Sequence, residues 1–224
     1  MASNDLQIAE LFYSIQGEST FAGLPCVFIR LAGCNLRCTY CDARYTYDEP
    51  GLGMSIGEVI AYASKYPDAL VEITGGEPLI QPNTIALAEQ LINAGRTLLL
   101  ETNGSLSIAP LPQDCHIIVD VKCPGSGPTA FFDLTNLREC QRRSSITPAV
   151  VEMKFVLKDV DDYRWARDFV RHHNLTAFAP ILFSPVRNAM SIGELAQLIL
   201  DDHLQVRLQL QLHTLIWPDT LRGV

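Results

Sequence analysis

Three cysteines, Cys34, Cys38 and Cys41, fall within eight residues of one another in the stretch Gly33-Cys34-Asn35-Leu36-Arg37-Cys38-Thr39-Tyr40-Cys41-Asp42. No other feature of the chain restricts its architecture and chemistry as tightly. Three thiolates on one loop can grip one face of a [4Fe–4S] cluster, leaving the fourth iron to a ligand that is not protein. A structural zinc ion asks instead for four protein ligands, usually two Cys-x-x-Cys pairs or a Cys pair and a His pair. No second pair exists here. Cys26, Cys115, Cys123 and Cys140 stand singly, as does His116. Spacing alone therefore leaves cluster and zinc both open.

The seven cysteines are an odd number for a disulfide framework, and the first residues carry neither a basic nor an apolar leader segment. Apolar stretches are broken by Arg, Glu, Asn or Gln before reaching the ~20 residues of a spanning helix. A soluble, cytoplasmic protein is expected, with no membrane partner. The formal net charge of −8 argues against a nucleic-acid partner, which calls for a basic face. With 224 residues, 48% of them apolar, the chain suits one well-cored domain spanning 1–224.

Strand-like and helix-like stretches alternate along that domain. Strands are predicted over Cys26–Leu31, Leu70–Thr74, Thr97–Leu100, Ile117–Val121, Val150–Leu157 and Phe178–Phe183, with a last one over Gln205–Leu212. Helices are predicted from Ser55 to about Tyr66, from Pro82 to Ala94, from about Asp161 to His172, and from Ser191 to about Asp202. Ser55-Ile56-Gly57-Glu58 and Ser191-Ile192-Gly193-Glu194 carry the pattern of a capping box. Such alternation implies parallel βαβ units, with the polar and glycine-rich clusters gathered at the C-terminal ends of the strands. A closed eight-unit barrel takes ~250 residues, so the fold expected is α/β, a partial, open β/α barrel shorter than a full TIM barrel.

The Cys-x-x-x-Cys-x-x-Cys pattern after the first of these strands, with Tyr40 ahead of the third cysteine, resembles the radical S-adenosylmethionine (SAM) superfamily. Thr74-Gly75-Gly76-Glu77-Pro78, at the end of the next strand, is similar to that superfamily's second motif. The resemblance implies a [4Fe–4S] cluster on Cys34, Cys38 and Cys41, with SAM chelating the open iron. It further implies SAM contacts from Gly76 and Glu77, from Thr102 in Glu101-Thr102-Asn103-Gly104, and from Tyr40 and Asp42. Two later loops, Lys122-Cys123-Pro124 and Phe183-Ser184-Pro185, are implied to reach SAM as well.

From end to end the chain resembles the 7-carboxy-7-deazaguanine synthases of queuosine and 7-deazapurine biosynthesis, which are lyases. That resemblance implies a pterin-binding set of Ile15, Gln16, Gly17, Arg30, Thr74 and Val224, residues 1–30 supplying a substrate-binding segment and 205–224 a closing tail. The backbone of Ile15, Gln16 and Gly17 is expected to meet the pyrimidine edge, and Arg30 the substrate's carboxylate. The implied reaction converts 6-carboxy-5,6,7,8-tetrahydropterin to 7-carboxy-7-deazaguanine through a 5′-deoxyadenosyl radical, with ring contraction and loss of ammonia. An electron donor such as flavodoxin or ferredoxin and a homodimer are implied too. The family carries a Mg²⁺ ligand, Thr or Ser, where this chain has Ala43; either Asp42, Thr46 or a water fills that position, or the metal is less important here. Two other readings of the cysteine loop stay open at this point: a small activating enzyme that installs a glycyl radical on a partner, and a non-catalytic zinc-binding adaptor.

Overall fold

Which way each side chain points along the strands determines this architecture. In chain order the elements are β1 (Asp5–Ile15), β2 (Pro25–Leu31), α1 (Tyr45–Asp48), β3 (Leu52–Ser55), α2 (Ile56–Ala63), β4 (Leu70–Gly75), α3 (Asn83–Asn93) and β5 (Leu98–Thr102). They continue with β6 (His116–Asp120), α4 (Thr135–Ile146), β7 (Val151–Leu157), α5 (Val160–His172), β8 (Ile181–Pro185), α6 (Ile192–Asp201), β9 (Arg207–Leu208) and α7 (Leu212–Ile216). The computed structural model describes residues 5–147, 150–220 and 222–224. Its strands form one sheet in the order β3-β1-β2-β4-β5-β6-β7-β8-β9, unclosed between the outermost two. β1 runs antiparallel to β2 and β3, and every pairing from β2 to β9 is parallel.

Successive residues of a strand point to opposite faces. Val27, Ile29 and Leu31 of β2, Val71 and Ile73 of β4, Ile117 and Val119 of β6, and Met153 and Phe155 of β7 all join one buried apolar cluster. Val59 of α2, Leu87 and Leu91 of α3, Tyr163 and Ala166 of α5 and Leu195 of α6 belong to the same cluster, so this is the face the helices cover. The intervening residues point the other way. Arg30, Glu72, Thr74, Glu101, Asp120 and Lys154 line a cavity on the inner face. One sheet thus carries an apolar outer core and a charged interior.

Helix ends follow their sequence signals. Ser55 and Glu58 form the full capping box at α2, and Ser191 Oγ accepts from Glu194 N at 3.0 Å at the start of α6. Asp159 caps α5, its carboxylate accepting from the amides of Asp161 and Asp162 at 3.1 and 3.0 Å. Asp159→Ala is expected to cost about 1 kcal/mol in urea unfolding, the usual value of a lost N-cap.

The short α1, β3 and α7 were not expected from sequence, and three larger departures stand out. β1 is an 11-residue strand where only a substrate-binding segment was read. α4 lies in a stretch with too few apolar residues to show a helical stripe. It is held instead by Arg143, fully buried, whose guanidinium donates to the carbonyls of Ile108, Leu111 and Pro112 and to Glu139. The strand expected over Gln205–Leu212 shrinks to Arg207–Leu208. Beyond it the chain is drawn off the sheet, as Leu212 N donates to Gly17 O at 3.0 Å and Gln211 Nε2 to Glu18 at 2.9 Å. Among the described residues no helix is long and apolar enough to cross a membrane.

Candidate active site

At the C-terminal ends of β2 and β4–β7 the inner face opens into a cavity of about 500 Å³. A larger, wide-open groove of about 630 Å³ lies at the opposite edge, around Gln141, Pro180 and Arg207, and carries none of the sequence motifs. Cys34, Cys38 and Cys41 all face the first cavity. Gly33, at φ +92°, turns the chain out of β2 into their loop, a conformation glycine adopts without strain. The loop is fastened on several sides. Gly33 N donates to Thr46 O at 2.6 Å, Thr39 N to Ser126 O at 2.8 Å, and Asn35 Nδ2 to Ser105 Oγ at 2.8 Å.

The Gly75-Gly76-Glu77 turn presses directly on this loop. A Cβ on Gly76 would lie 2.2 Å from Gly33 O and 2.6 Å from Cys34 Cβ. Glu77 N donates to Gly33 O at 2.9 Å. The Glu77 side chain, fully buried, accepts from Leu79 N at 3.0 Å, Thr102 Oγ1 at 2.8 Å and Asn103 N at 2.7 Å. Its carboxylate braces the ends of β4 and β5 and does not reach the cavity. Of the SAM contacts expected in this turn, Gly76 lines the cavity and Glu77 stands behind it.

The donor set suits an iron–sulfur cluster. All three thiols are free, and Leu36 N points at Cys34 Sγ from 3.5 Å. Burial pushes the Cys34 and Cys38 thiols above their usual range, so thiolates there call for cationic partners. Among the described residues no three His, Cys, Asp or Glu side chains converge as a single-ion shell. A cluster does not require that convergence, because each thiolate meets a different iron. Mg²⁺ is less well served: Ala43 offers no oxygen, and Thr46 Oγ1 donates to Ala43 O at 2.7 Å. Asp42 alone of the expected replacements lines the cavity with a carboxylate.

An open α/β sheet with such a loop after its first parallel strand defines a class, and the sequence profile of the Radical SAM superfamily matches residues 28–121. The fold is similar to that of QueE from Escherichia coli (TM-score 0.73, 23% identity, 92% of this chain and 94% of that one). The chain is 42% identical to a protein of Koribacter versatilis named 7-carboxy-7-deazaguanine synthase, over 98% of its own length and 100% of the relative's. A protein of the same name in Chlorobaculum tepidum is 41% identical over 98% and 97%. The chain belongs to the 7-carboxy-7-deazaguanine synthase family. It is therefore a radical SAM enzyme of the lyase type, with a [4Fe–4S] cluster and SAM as its cofactors. Neither the activating enzyme nor the zinc adaptor is favoured by these relatives.

Most predicted site residues meet in the cavity: Ile15, Gln16, Gly17, Arg30, Thr74 and Val224 from the substrate set, and Tyr40, Asp42, Gly76, Thr102 and Lys122 from the SAM set. Lys122 Nζ lies 2.8 Å from Asp120 Oδ2. Burial opposes its charge, yet Asp120 and the Cys38 sulfur hold the ammonium well above the ordinary lysine range. Tyr40 OH donates to Val156 O at 3.1 Å, and burial raises its pKa.

Others lie elsewhere. Phe183, expected in a SAM-side loop, has its side chain fully buried on the outer face, the ring 5.5 Å from Phe155 and 6.0 Å from Tyr163. Ser184 is fully buried on the inner face but does not line the cavity, nor does Pro185; Val186 and Arg187, the next two residues, do. Cys123 belongs to the outer core, and Pro124 opens a short turn clamped by Gly125 N to Asp162 Oδ1 at 2.7 Å. Neither of these expected SAM contacts lines the cavity.

The backbone of Gln16 and Gly17 is partly engaged within the chain itself. Gln16 N donates to Leu24 O and Gly23 N donates to Gln16 O, both at 2.8 Å, while Gly17 O accepts from Leu212 N. Those groups already serve the β1–β2 turn and the tail.

Among the cavity residues not singled out from sequence are Glu72, Asp120 and Lys154. Each is a charged residue flanked by apolar neighbours within a strand, the one signal that marks an inward-facing position. Lys154 Nζ sits 2.8 Å from Glu18 Oε2, 2.5 Å from Glu101 Oε1 and 3.6 Å from Asp120 Oδ2. Burial works against its charge, and the three carboxylates outweigh it, holding its pKa far above normal.

Proposed function

We propose that the chain converts 6-carboxy-5,6,7,8-tetrahydropterin to 7-carboxy-7-deazaguanine, with ring contraction and loss of ammonia. One observation supports this above others: a single cavity joins the cysteine loop to Arg30 and to the Gln16–Glu18 segment. When bound, the cluster and SAM supply one-electron cleavage of SAM to a carbon radical able to abstract hydrogen. The chain's own residues bind, orient and shield. Arg30 lies with its Nε 3.4 Å from Glu10 Oε2, and that nitrogen makes no hydrogen bond. Its guanidinium stacks 5.6 Å from the Phe12 ring centroid. A planar fork held from one side is suited to clamp a carboxylate from the other. Thr74 stands beside Arg30 in the parallel ladder and donates to Glu101 Oε2 at 3.2 Å.

The tail closes the cavity mouth in this reading. Gly223 N donates to Glu10 Oε1 at 3.1 Å, and the Arg222 guanidinium pairs with Glu49 and stacks 4.2 Å from the Tyr45 ring centroid. Residues 1–224 act as one domain, with 1–30 and 205–224 supplying floor and lid. A low-potential donor such as flavodoxin or ferredoxin, a cytoplasmic location and a homodimer complete the proposal.

The test is anaerobic turnover of reconstituted protein with the carboxylated tetrahydropterin, read by mass spectrometry. The deazaguanine should appear together with 5′-deoxyadenosine; SAM cleavage without it sinks the substrate assignment. Arg30→Ala should retain its iron but lose roughly 100-fold in kcat/KM, as expected from losing about two charged hydrogen bonds.

A further inference from the structure

The inward-facing strand residues include more carboxyls than their basic neighbours engage, and within the strands the excess falls at Glu72. Glu18 and Glu101 are paired to Lys154, Asp120 to Lys122, and Glu10 to Arg30 and to the Tyr45 hydroxyl. Glu72, 3% exposed, has no cation within ion-pair distance among the described residues, and its carboxyl receives one donor, Gln16 Nε2. It lines the cavity nonetheless.

We propose that Glu72 selects the ligand's heterocycle, its carboxyl accepting the ring N–H and the exocyclic amine of a 2-amino-4-oxopyrimidine edge. This inference rests on the substrate reading above and deepens it. Two parallel N–H donors are the natural complement of a carboxylate, as in fork-to-fork guanidinium pairs. In the backbone beside it, Gln16 N and O already serve the β1–β2 turn and Gly17 O accepts from the tail. Gln16 instead orients the reader. Its amide nitrogen holds Glu72, and its oxygen is fixed by Glu18 N at 3.0 Å.

Position agrees with this role. In the parallel ladder Arg30 pairs with Thr74 and Phe28 with Glu72, so Glu72 lies two residues deeper than the carboxylate clamp. Two residues of strand span about 6.6 Å, of the order of the length of a fused two-ring heterocycle. Phe28, beside Glu72 in that register, lines the cavity and stacks on Phe12 at 4.8 Å, providing an aromatic wall for a flat ring. Burial, and then Glu101, push the Glu72 carboxyl up to about 8, while Lys154 and Gln16 act in the opposite direction. An acceptor left so short of donors is relieved by a ligand that brings two.

The experiment uses cluster-loaded protein under anaerobic conditions and two ligands: 7-carboxy-7-deazaguanine and its analogue lacking the exocyclic amine. By titration calorimetry the wild type should prefer the amine-bearing compound by about 100-fold or more, as sites built around a hydrogen bond do. Glu72→Gln keeps the shape and the bond from Gln16. It should lower affinity for that compound by roughly 30-fold, the scale of a lost charged hydrogen bond, and shrink the preference to about 3-fold. Affinity for the analogue, SAM binding and iron content should not change. Glu72→Asp, which keeps the charge, should hold an intermediate preference and serves as the probe should Glu72→Gln not fold. Undiminished discrimination in Glu72→Gln, or in Glu72→Asp where that is the probe, overturns this inference alone. A wild type that turns over no tetrahydropterin and binds neither compound overturns the substrate reading and this inference together.

Discussion

Gly76→Ala is expected to abolish reductive SAM cleavage, by about 100-fold or more, while the protein still folds. The added methyl would sit 2.2 Å from Gly33 O and 2.6 Å from Cys34 Cβ, contacts that only backbone movement relieves. The segment has little room to give. Glu77 N is bonded to Gly33 O and Gly76 N to Leu31 O, and a Cβ on the preceding Gly75 would lie 2.4 Å from the same Leu31 oxygen. Relief therefore has to come from the cysteine loop, which displaces the Cys34 sulfur. A shift of ~1 Å at a reacting centre costs about 100-fold, and overpacking about 1–3 kcal/mol of stability. Iron content, 5′-deoxyadenosine release under dithionite and a urea melt read the three effects together. Gly57→Ala in α2, where the nearest atom to a new Cβ is Ser55 Oγ at 4.0 Å, is the matched control and should leave all three intact. Full SAM cleavage by Gly76→Ala would mean that the turn does not set the position of the loop.

Lys154→Met should produce the largest loss of stability, about 3–5 kcal/mol at neutral pH, because removing one partner strands buried charge. Glu18, Glu101 and Asp120 would face one another with their shared cation gone. The sign with pH follows from linkage. The folded pKa of Lys154 lies above its unfolded value, so its contribution is whole below about 10.4 and is lost only as pH rises through the folded value. Wild-type stability should therefore be insensitive to this residue between pH 5 and 8. Urea unfolding of the two apo proteins at several pH values checks both statements. A deficit under about 1 kcal/mol at neutral pH would show that solvent already screens the cluster.

The outer half of the sheet was legible in the sequence because its job is burial. Runs such as Cys26–Leu31, Leu70–Thr74 and Val150–Leu157 carry enough aliphatic residues to read as strands whichever face is counted. The inner half was harder. Glu72, Asp120 and Lys154 look like interruptions of an apolar run, and only the pleat shows that they share a wall with Arg30. The cysteine loop and the Gly-Gly turn were legible for another reason: their chemistry is written in contiguous residues. Phe183 shows the same difficulty: successive residues of β8 face opposite sides, and contiguous sequence does not reveal that its ring belongs to the outer core while Val186 lines the cavity. Gln16 lines the cavity, but which of its atoms are engaged was not legible. Sequence cannot show that its backbone closes a turn with Leu24 and Gly23 while its side chain reaches across to β4.

The charged inner face carries a calorimetric consequence. Unfolding hydrates apolar groups, which raises the heat capacity, and polar groups, which lowers it. A sheet that buries Glu72, Asp120, Glu152 and Lys154 on one side and aliphatic residues on the other releases both kinds of surface at once. Its heat-capacity increment should fall at or below the lower end of the ordinary range of about 12–15 cal/mol/K per residue. The stability curve of the apo chain should be correspondingly flat, with thermal tolerance supplied by filling the cavity rather than by the outer core.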